Sequence, residues 1–185
     1  FITQQIDIGR QVYVVYPLIK ESEKLDLKDL MDGYESISRR FPLPKYQISI
    51  LHGQMKPADK DYEMERFKKG ITHIMVSTTV IEVGVDVPNA TVMVIENSER
   101  FGLAQLHQLR GRVGRGGEQS YCILMTADKL SYDGRERIST MVRTNDGFEI
   151  SEADLKLRGP GDLQGLQQSG VVNLKVADIV KDESV

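Results

Sequence analysis

His73-Ile-Met-Val-Ser-Thr78 is a short run in which apolar side chains follow one another instead of alternating with polar ones. A half-exposed strand alternates, whereas a strand that is covered on both faces is apolar along its length. Strands of that kind belong to parallel sheets with helices on both sides. Four more runs rich in Val, Ile or Tyr are predicted as strands. They are residues 11–18, 47–51, 91–95 and 121–125.

Segments with a helical repeat lie between these runs. Residues 27–41 carry apolar side chains at spacings of three and four. Residues 58–69 follow Pro57, which suits a first helical turn, and end before Gly70. Residues 103–113 are predicted as a third helix. The alternation of strand and helix predicts a doubly wound α/β domain.

The last third of the chain lacks strand patterns. Residues 129–146 are predicted as a helix, and Asp146-Gly147 as a turn that reverses the chain. Residues 152–157 are predicted as a second helix. Arg-Gly-Pro-Gly at 158–161 is predicted to stop that helix, because proline cannot continue it. This would leave Arg158 at a helix carboxyl terminus.

These patterns predict two units. Residues 1–128 form the α/β domain, and residues 129–185 form a small helical appendage in which one more short helix reaches Gln168. The sequence does not decide whether residues 171–185 are ordered. It also gives no functional indication for residues 20–45.

Composition excludes several classes of protein. The 185 residues have a formal net charge of −3, so any nucleic-acid contact must come from local patches. Cys122 is the only cysteine, which excludes a disulfide or a cysteine zinc site within one chain and favours a reducing compartment. No run is apolar and long enough to cross a bilayer, and no membrane partner is expected. The chain opens with Phe1 and no signal peptide, so we interpret it as part of a longer protein.

The sharpest motif is Gln108-Leu-Arg-Gly-Arg-Val-Gly-Arg115. On a helix, Arg112 and Arg115 would share a face, because they are three residues apart. Glycine at 111 and 114 would cost helix stability, which suggests close approach by another group. Guanidinium groups are forked donors suited to phosphate oxygens. The alternative is a solvated basic helix end.

This string resembles the Gln-x-x-Gly-Arg-x-Gly-Arg motif of superfamily 2 helicases, in the second of their two motor domains. Three further stretches resemble the same family. Ser77–Pro88 resembles the motif that couples ATP to the DNA strand. Leu51-His52-Gly53 resembles the loop that touches the tracked strand. Residues 102–107 resemble the segment that leads into the arginine motif. The resemblance implies a RecA-like parallel sheet without a P-loop.

The appendage resembles the translocation motif shared by RecG and the transcription-repair coupling factors. The matching stretches are residues 144–148, 154–161 and 168–170. The spellings Asn-Asp-Gly-Phe and Arg-Gly-Pro-Gly favour the RecG family. Two alternatives stay open: the same half-motor from a coupling factor, and a regulatory α/β domain without catalysis.

The resemblance implies catalytic roles for three residues. Arg115 would be the arginine finger on the γ-phosphate, Arg112 would lie beside it, and Gln108 would sense the same phosphate. Asp86 and Gly84 would contribute to nucleotide binding. For both of them an ordinary turn residue is the alternative.

The resemblance also implies DNA-binding and coupling residues. Thr78 and Thr79 would hold DNA phosphate, as would His52 and Gly53; solvated strand ends and a structural histidine are the alternatives. We expect Arg137, Arg158 and Gln168 to couple ATP turnover to movement. The alternative is an ordinary helix cap for Arg158 and an exposed amide for Gln168. No metal ligand is expected in the chain.

What the chain lacks is equally informative. It contains no Gly-Lys followed by Ser or Thr, the phosphate-cradling P-loop, and no acidic magnesium box. In the family, both lie on the first motor domain. The resemblance therefore implies ATP as the cofactor, with its Mg²⁺ ligands expected on the first motor domain, and the isolated chain is predicted to be inactive.

The expected partners follow from the same resemblance. They are branched DNA, such as stalled forks and Holliday junctions in recombination and repair, and the first motor domain and wedge domain of the same polypeptide. The expected location is the bacterial cytosol. Junction preference, step size and oligomeric state cannot be inferred.

Overall fold

A computed structural model describes the backbone of residues 1–18, 23–78, 87–114 and 116–162. Its side chains are described for residues 1–18, 26–78, 87–114 and 116–157. Within these ranges, no helix is long and apolar enough to span a membrane.

Strands and helices alternate over the first two thirds of the chain, as the sequence predicts. The five strands are β1 (Gln11–Tyr16), β2 (Ile48–Leu51), β3 (Ile74–Thr78), β4 (Ala90–Ile95) and β5 (Tyr121–Leu124). The helices are α1 (Ile2–Asp7), α2 (Glu23–Arg40), α3 (Pro57–Lys68), α4 (Leu103–Arg110), α5 (Tyr132–Arg143) and α6 (Gly147–Asp162), with a 3₁₀ turn at Ser98–Arg100.

The strands form one sheet in the order β2-β3-β1-β4-β5, and every pairing is parallel. All residues of β3 and β4 are buried, as expected for strands that are covered on both faces. One hydrophobic cluster packs α1 and α2 on one face. A second cluster packs α3, α4 and the two last helices on the other face. The predicted α/β class is confirmed.

The last two helices form the predicted hairpin. Helix α5 begins after Ser131, whose Oγ accepts from the Gly134 amide at 3.1 Å. Asp146 starts the second helix, since its Oδ1 accepts from the Phe148 amide at 2.8 Å. The hairpin packs on α4 and shares its hydrophobic cluster through Met141 and Ile150.

Two details of the predicted appendage are wrong. The second helix starts at Gly147, five residues early, because the Asp146 side chain caps it, and it continues to Asp162. Its backbone stays helical through Pro160, although proline there removes one hydrogen bond and crowds the carbonyl four residues earlier. Arg158 is therefore not at a helix end.

Candidate functional site

Parallel pairing brings the carboxyl ends of the strands to one edge of the sheet, here called the carboxyl rim. Thr78 ends β3 directly beside Tyr16 at the end of β1. Glu96 follows β4 on the other side of Tyr16, because Val15 pairs with Ile95. His52 follows β2 beside Thr78, because Leu51 pairs with Ser77. Neighbouring strands are about 4.8 Å apart, so these side chains form one row.

Two of the predicted DNA-binding positions are thus brought together. His52 and Thr78 are neighbours in the row, and Gly53 lies in the turn that leads from β2 to α3. Thr79 lies outside the described residues. The grouping of His52 with Thr78 at one rim is what an open α/β sheet requires of a ligand site.

Three polar atoms at this rim are buried without a hydrogen-bond partner among the described residues. They are His52 Nδ1, Ser77 Oγ and Thr78 Oγ1. Buried polar atoms in folded proteins are normally paired. Ser77 and Thr78 are consecutive in β3, so their side chains point to opposite faces of the sheet. The hydrogen-bonding capacity that the row offers to an oxygen-rich ligand therefore comes from His52 and Thr78.

Lys60 adds a positive charge to this end of the rim. Burial, and then the charge of Lys60, lower the pKa of His52 below its ordinary value. Lys60 lies in the first turns of α3, one turn after Lys56, and α3 begins close to His52. A helix amino terminus also favours anions. Sequence reasoning missed Lys60, although cations spaced by four just after a strand end were a usable signal.

The opposite end of the rim is acidic. Burial raises the pKa of the Glu96 carboxyl. Burial, together with the charge of Glu96, raises the pKa of Tyr16 to about 12. The phenol ring of Tyr16 packs against Gly33, where a Cβ atom would overlap it. An anion is therefore favoured at the β2–β3 end of the rim and disfavoured near β4.

The arginine motif is not one continuous helix. Helix α4 ends at Arg110, and Gly111 caps it instead of interrupting it. Gly114 has φ +88°, a left-handed conformation that glycine adopts without strain. Arg112 lies in the turn after α4, so the prediction that it shares a helix face with Arg115 is wrong. Arg115 itself lies outside the described residues.

Gln108 and Arg112, two of the residues predicted to contact phosphate, are close together in the chain, and their side chains are not paired with other described residues. Gln108 is exposed in the last turn of α4. Arg112 is half-buried, and its guanidinium forms no ion pair or hydrogen bond with any described residue, so that group is available to a ligand. Gly84 and Asp86, the predicted nucleotide-binding pair, lie outside the described residues.

Arg110 lies two residues before Arg112, but its guanidinium is paired within the protein. Its Nη1 donates to Met141 O at 2.8 Å and to Thr144 O at 2.9 Å, and its Nη2 lies 3.3 Å from His107 Nδ1. Both carbonyls belong to the carboxyl end of α5, where oxygens lack helical partners and a cation is favoured. Sequence reasoning missed Arg110, since nothing local shows that its partners are over thirty residues away.

Arg137, a predicted coupling residue, makes a similar tie. Its Nη1 donates to Glu99 O at 2.9 Å and Phe101 O at 3.1 Å, just before α4. The hairpin is therefore fastened at both ends of the helix that carries Gln108. The Arg158 side chain and Gln168 lie outside the described residues.

Comparison with known proteins identifies the domain. Residues 2–117 match the helicase conserved C-terminal domain, and residues 144–185 match domain 3, C-terminal, of the ATP-dependent DNA helicase RecG. The ATP-dependent DNA helicases RecG of Synechocystis sp. and Bacillus subtilis are each 53% identical, over 100% and 98% of this chain. The chain spans only 22% and 26% of their length.

Solved structures agree with the sequence matches. A structure of RecG bound to a three-way DNA junction has a TM-score of 0.72 and 48% identity, covering 89% of this chain and 21% of that one. Domain 2 of the Mss116p DEAD-box helicase, bound to an RNA duplex, has a TM-score of 0.61 at 19% identity, covering 84% and 59%, and shares the fold. This chain belongs to the helicase conserved C-terminal domain family, and the relatives that it matches along its whole length are RecG helicases.

Proposed function

We propose that this chain is the second motor domain of an ATP-dependent DNA helicase that remodels branched DNA. The observation that carries the proposal is the 53% identity to RecG over 184 residues, which includes the arginine motif and the hairpin. A RecG relative was solved on a three-way DNA junction, which makes branched DNA the substrate to test first. The remaining partners are the first motor domain and the wedge domain of the same polypeptide.

The chain contributes one wall of the ATP site. Arg115 acts as the arginine finger, while Arg112 and Gln108 contact the same phosphate. The uncommitted guanidinium of Arg112 supports this assignment, because a cation already paired within the protein would not be free for phosphate. Asp86 and Gly84 contact the nucleotide. The P-loop and the Mg²⁺ ligands belong to the first motor domain.

The β2–β3 end of the carboxyl rim is the DNA track. His52, Gly53, Thr78 and Thr79 contact the backbone of one strand, and Lys60 neutralises a phosphate there. The unpaired buried atoms and the positive charge beside them support this role. The negative charge of Glu96 disfavours phosphate near β4, so the phosphates bind at the β2–β3 end of the rim.

The hairpin transmits movement from the ATP site. Arg110 and Arg137 fasten α5 to the two ends of α4. Arg158 and Gln168 are the other coupling residues that the resemblance implies. We divide the chain at residue 128 into a motor domain and this appendage. The two units move as one body, because Met141 and Ile150 belong to the hydrophobic cluster of the motor domain.

Loss of either arginine at the ATP site is expected to stop chemistry without releasing DNA. In the full-length enzyme, Arg112→Ala or Arg115→Ala should lower ATP hydrolysis by about 10³-fold or more, the usual cost of losing an arginine finger. DNA affinity, measured by fluorescence anisotropy on a synthetic fork, should stay within about threefold. Arg135→Ala is the control, because Arg135 is exposed on α5. Normal hydrolysis by both variants would contradict the assignment.

The DNA track is tested by salt dependence. Lys60→Ala should weaken fork binding and reduce the slope of log affinity against log salt by about one, because one phosphate contact is lost. Thr78→Val should weaken binding with an unchanged slope, because it removes a hydroxyl and no charge. The matched control is Lys68→Ala on the same helix, where the lysine is paired with Glu65 at 3.2 Å. An unchanged slope for Lys60→Ala would place the track elsewhere.

The coupling role is tested by the ratio of two rates. Arg110→Lys keeps the charge, but its side chain ends one bond short of the Nη1 that donates to both carbonyls and lacks the Nη2 that lies beside His107 Nδ1. In this variant, ATP hydrolysis on a fork should remain within a few fold, while fork unwinding falls by about tenfold or more. Arg158→Ala and Gln168→Ala should behave alike, and Arg135→Lys is the control. If unwinding falls only in proportion to hydrolysis, the hairpin does not transmit movement.

A further inference from the structure

The segment that carries Arg112 and Arg115 connects α4 to β5 and is here called the finger loop, residues 111–120. Gly114 and Gly117 both have left-handed backbone conformations, with φ of +88° and +76°. Glycine has the most backbone freedom to lose on folding, so a loop of this composition depends on its surroundings for a single conformation. The contacts that hold the finger loop therefore determine where its arginines lie.

The second half of the finger loop packs against the turn before β4. A Cβ atom on Gly116 would lie 3.1 Å from Pro88 O, so the backbones of the loop and the turn are in close contact. Within the loop, Ser120 Oγ donates to Glu118 O at 3.2 Å. These neutral contacts bring Glu118 to the start of β5.

An ion pair joins the finger loop to the turn before β1. Arg10 Nη2 lies 2.6 Å from Glu118 Oε2. Strands β1, β4 and β5 are successive neighbours in the sheet, and all three begin at its amino rim, the edge opposite the carboxyl rim. Because neighbouring strands are about 4.8 Å apart, the ion pair reaches across the start of β4.

Arg10 is the more firmly held member of the pair. Its side chain is 22% exposed, whereas that of Glu118 is 57% exposed. The Arg10 amide donates to Gln5 O at 2.9 Å, and Asn89 Nδ2 donates to Gly9 O at 3.2 Å. The turn before β1 is thus tied to α1 and to the turn before β4, and it presents the Arg10 guanidinium to a glycine-rich loop.

We propose that Arg10 and Glu118 are positioning residues for ATP hydrolysis: their ion pair holds the finger loop where Arg112 and Arg115 meet the γ-phosphate. The inference rests on the proposed function, because it requires those two arginines to act at the ATP site. An ion pair with a water-exposed partner adds little to the stability of a fold. By contrast, misplacing a catalytic group by about 1 Å can cost about 10²-fold in rate. The pair therefore matters more to catalysis than to stability.

Steady-state kinetics of the full-length enzyme on a synthetic fork test the proposal. Arg10→Gln and Glu118→Gln should each lower kcat for ATP hydrolysis by about tenfold, because the finger loop then samples other conformations. The KM for ATP should stay within about twofold, because an arginine finger acts on the transition state more than on bound ATP. The melting temperature should change by less than about 2 °C.

A charge swap distinguishes an ion pair from two residues that act independently. Arg10→Glu combined with Glu118→Arg should have a kcat at least about threefold above that of Arg10→Glu alone. The matched control is Lys45→Gln. It removes the 3.6 Å ion pair of Lys45 with Asp7 of α1, which lies toward β2 at the other edge of the sheet, and its kcat should be unchanged.

Three results would overturn the proposal. The first is an unchanged kcat in both Arg10→Gln and Glu118→Gln while Arg115→Ala is inactive, since the ion pair is then only a surface contact. The second is a raised KM with an unchanged kcat, which would indicate a role in nucleotide binding instead. The third is a charge swap that recovers nothing. Normal hydrolysis by Arg115→Ala is a different failure, because it overturns the proposed arginine finger itself and this inference with it.

Discussion

Parallel pairing of the five strands is the constraint on which the rest of the structure depends. A parallel pair cannot be closed by a tight turn, so each strand is followed by a crossover, and helices cover both faces. All carboxyl ends then meet at one rim. Residues as distant in sequence as His52, Thr78 and Glu96 come to lie on one rim, with Tyr16 between Thr78 and Glu96. The buried polar atoms of the candidate DNA track that lack partners in the described part of the chain, and the change of charge along the rim, follow from that topology.

Arg110 and Arg112 belong to one motif but differ in their surroundings. The Arg112 guanidinium has no partner among the described residues, whereas the Arg110 guanidinium donates to two carbonyls at the end of α5. The helix that ends between them anchors the hairpin, and in the proposed function it also carries the phosphate-sensing Gln108. A displacement of a phosphate by a fraction of an ångström can be passed on through such a rigid contact.

The sequence predicts those features that depend on local chemistry. Strands apolar on both faces, such as residues 73–78, predict the covered parallel sheet, and Asp146-Gly147 predicts the hairpin turn. Prediction from the sequence fails where one residue type is compatible with two roles. Gly111 caps a helix instead of weakening it, and Pro160 lies within a helix instead of ending it. It also misses Arg110, because its oxygen partners come from a helix more than thirty residues away.

ATP hydrolysis by the purified 185-residue chain tests the central claim, that this is half of an ATP-driven motor. The rate is measured with and without a three-way DNA junction, beside the full-length enzyme, after circular dichroism has confirmed that the chain is folded. The account predicts no turnover above background in the chain alone, because it holds neither a P-loop nor a magnesium box. Junction-stimulated hydrolysis by the chain itself would contradict it.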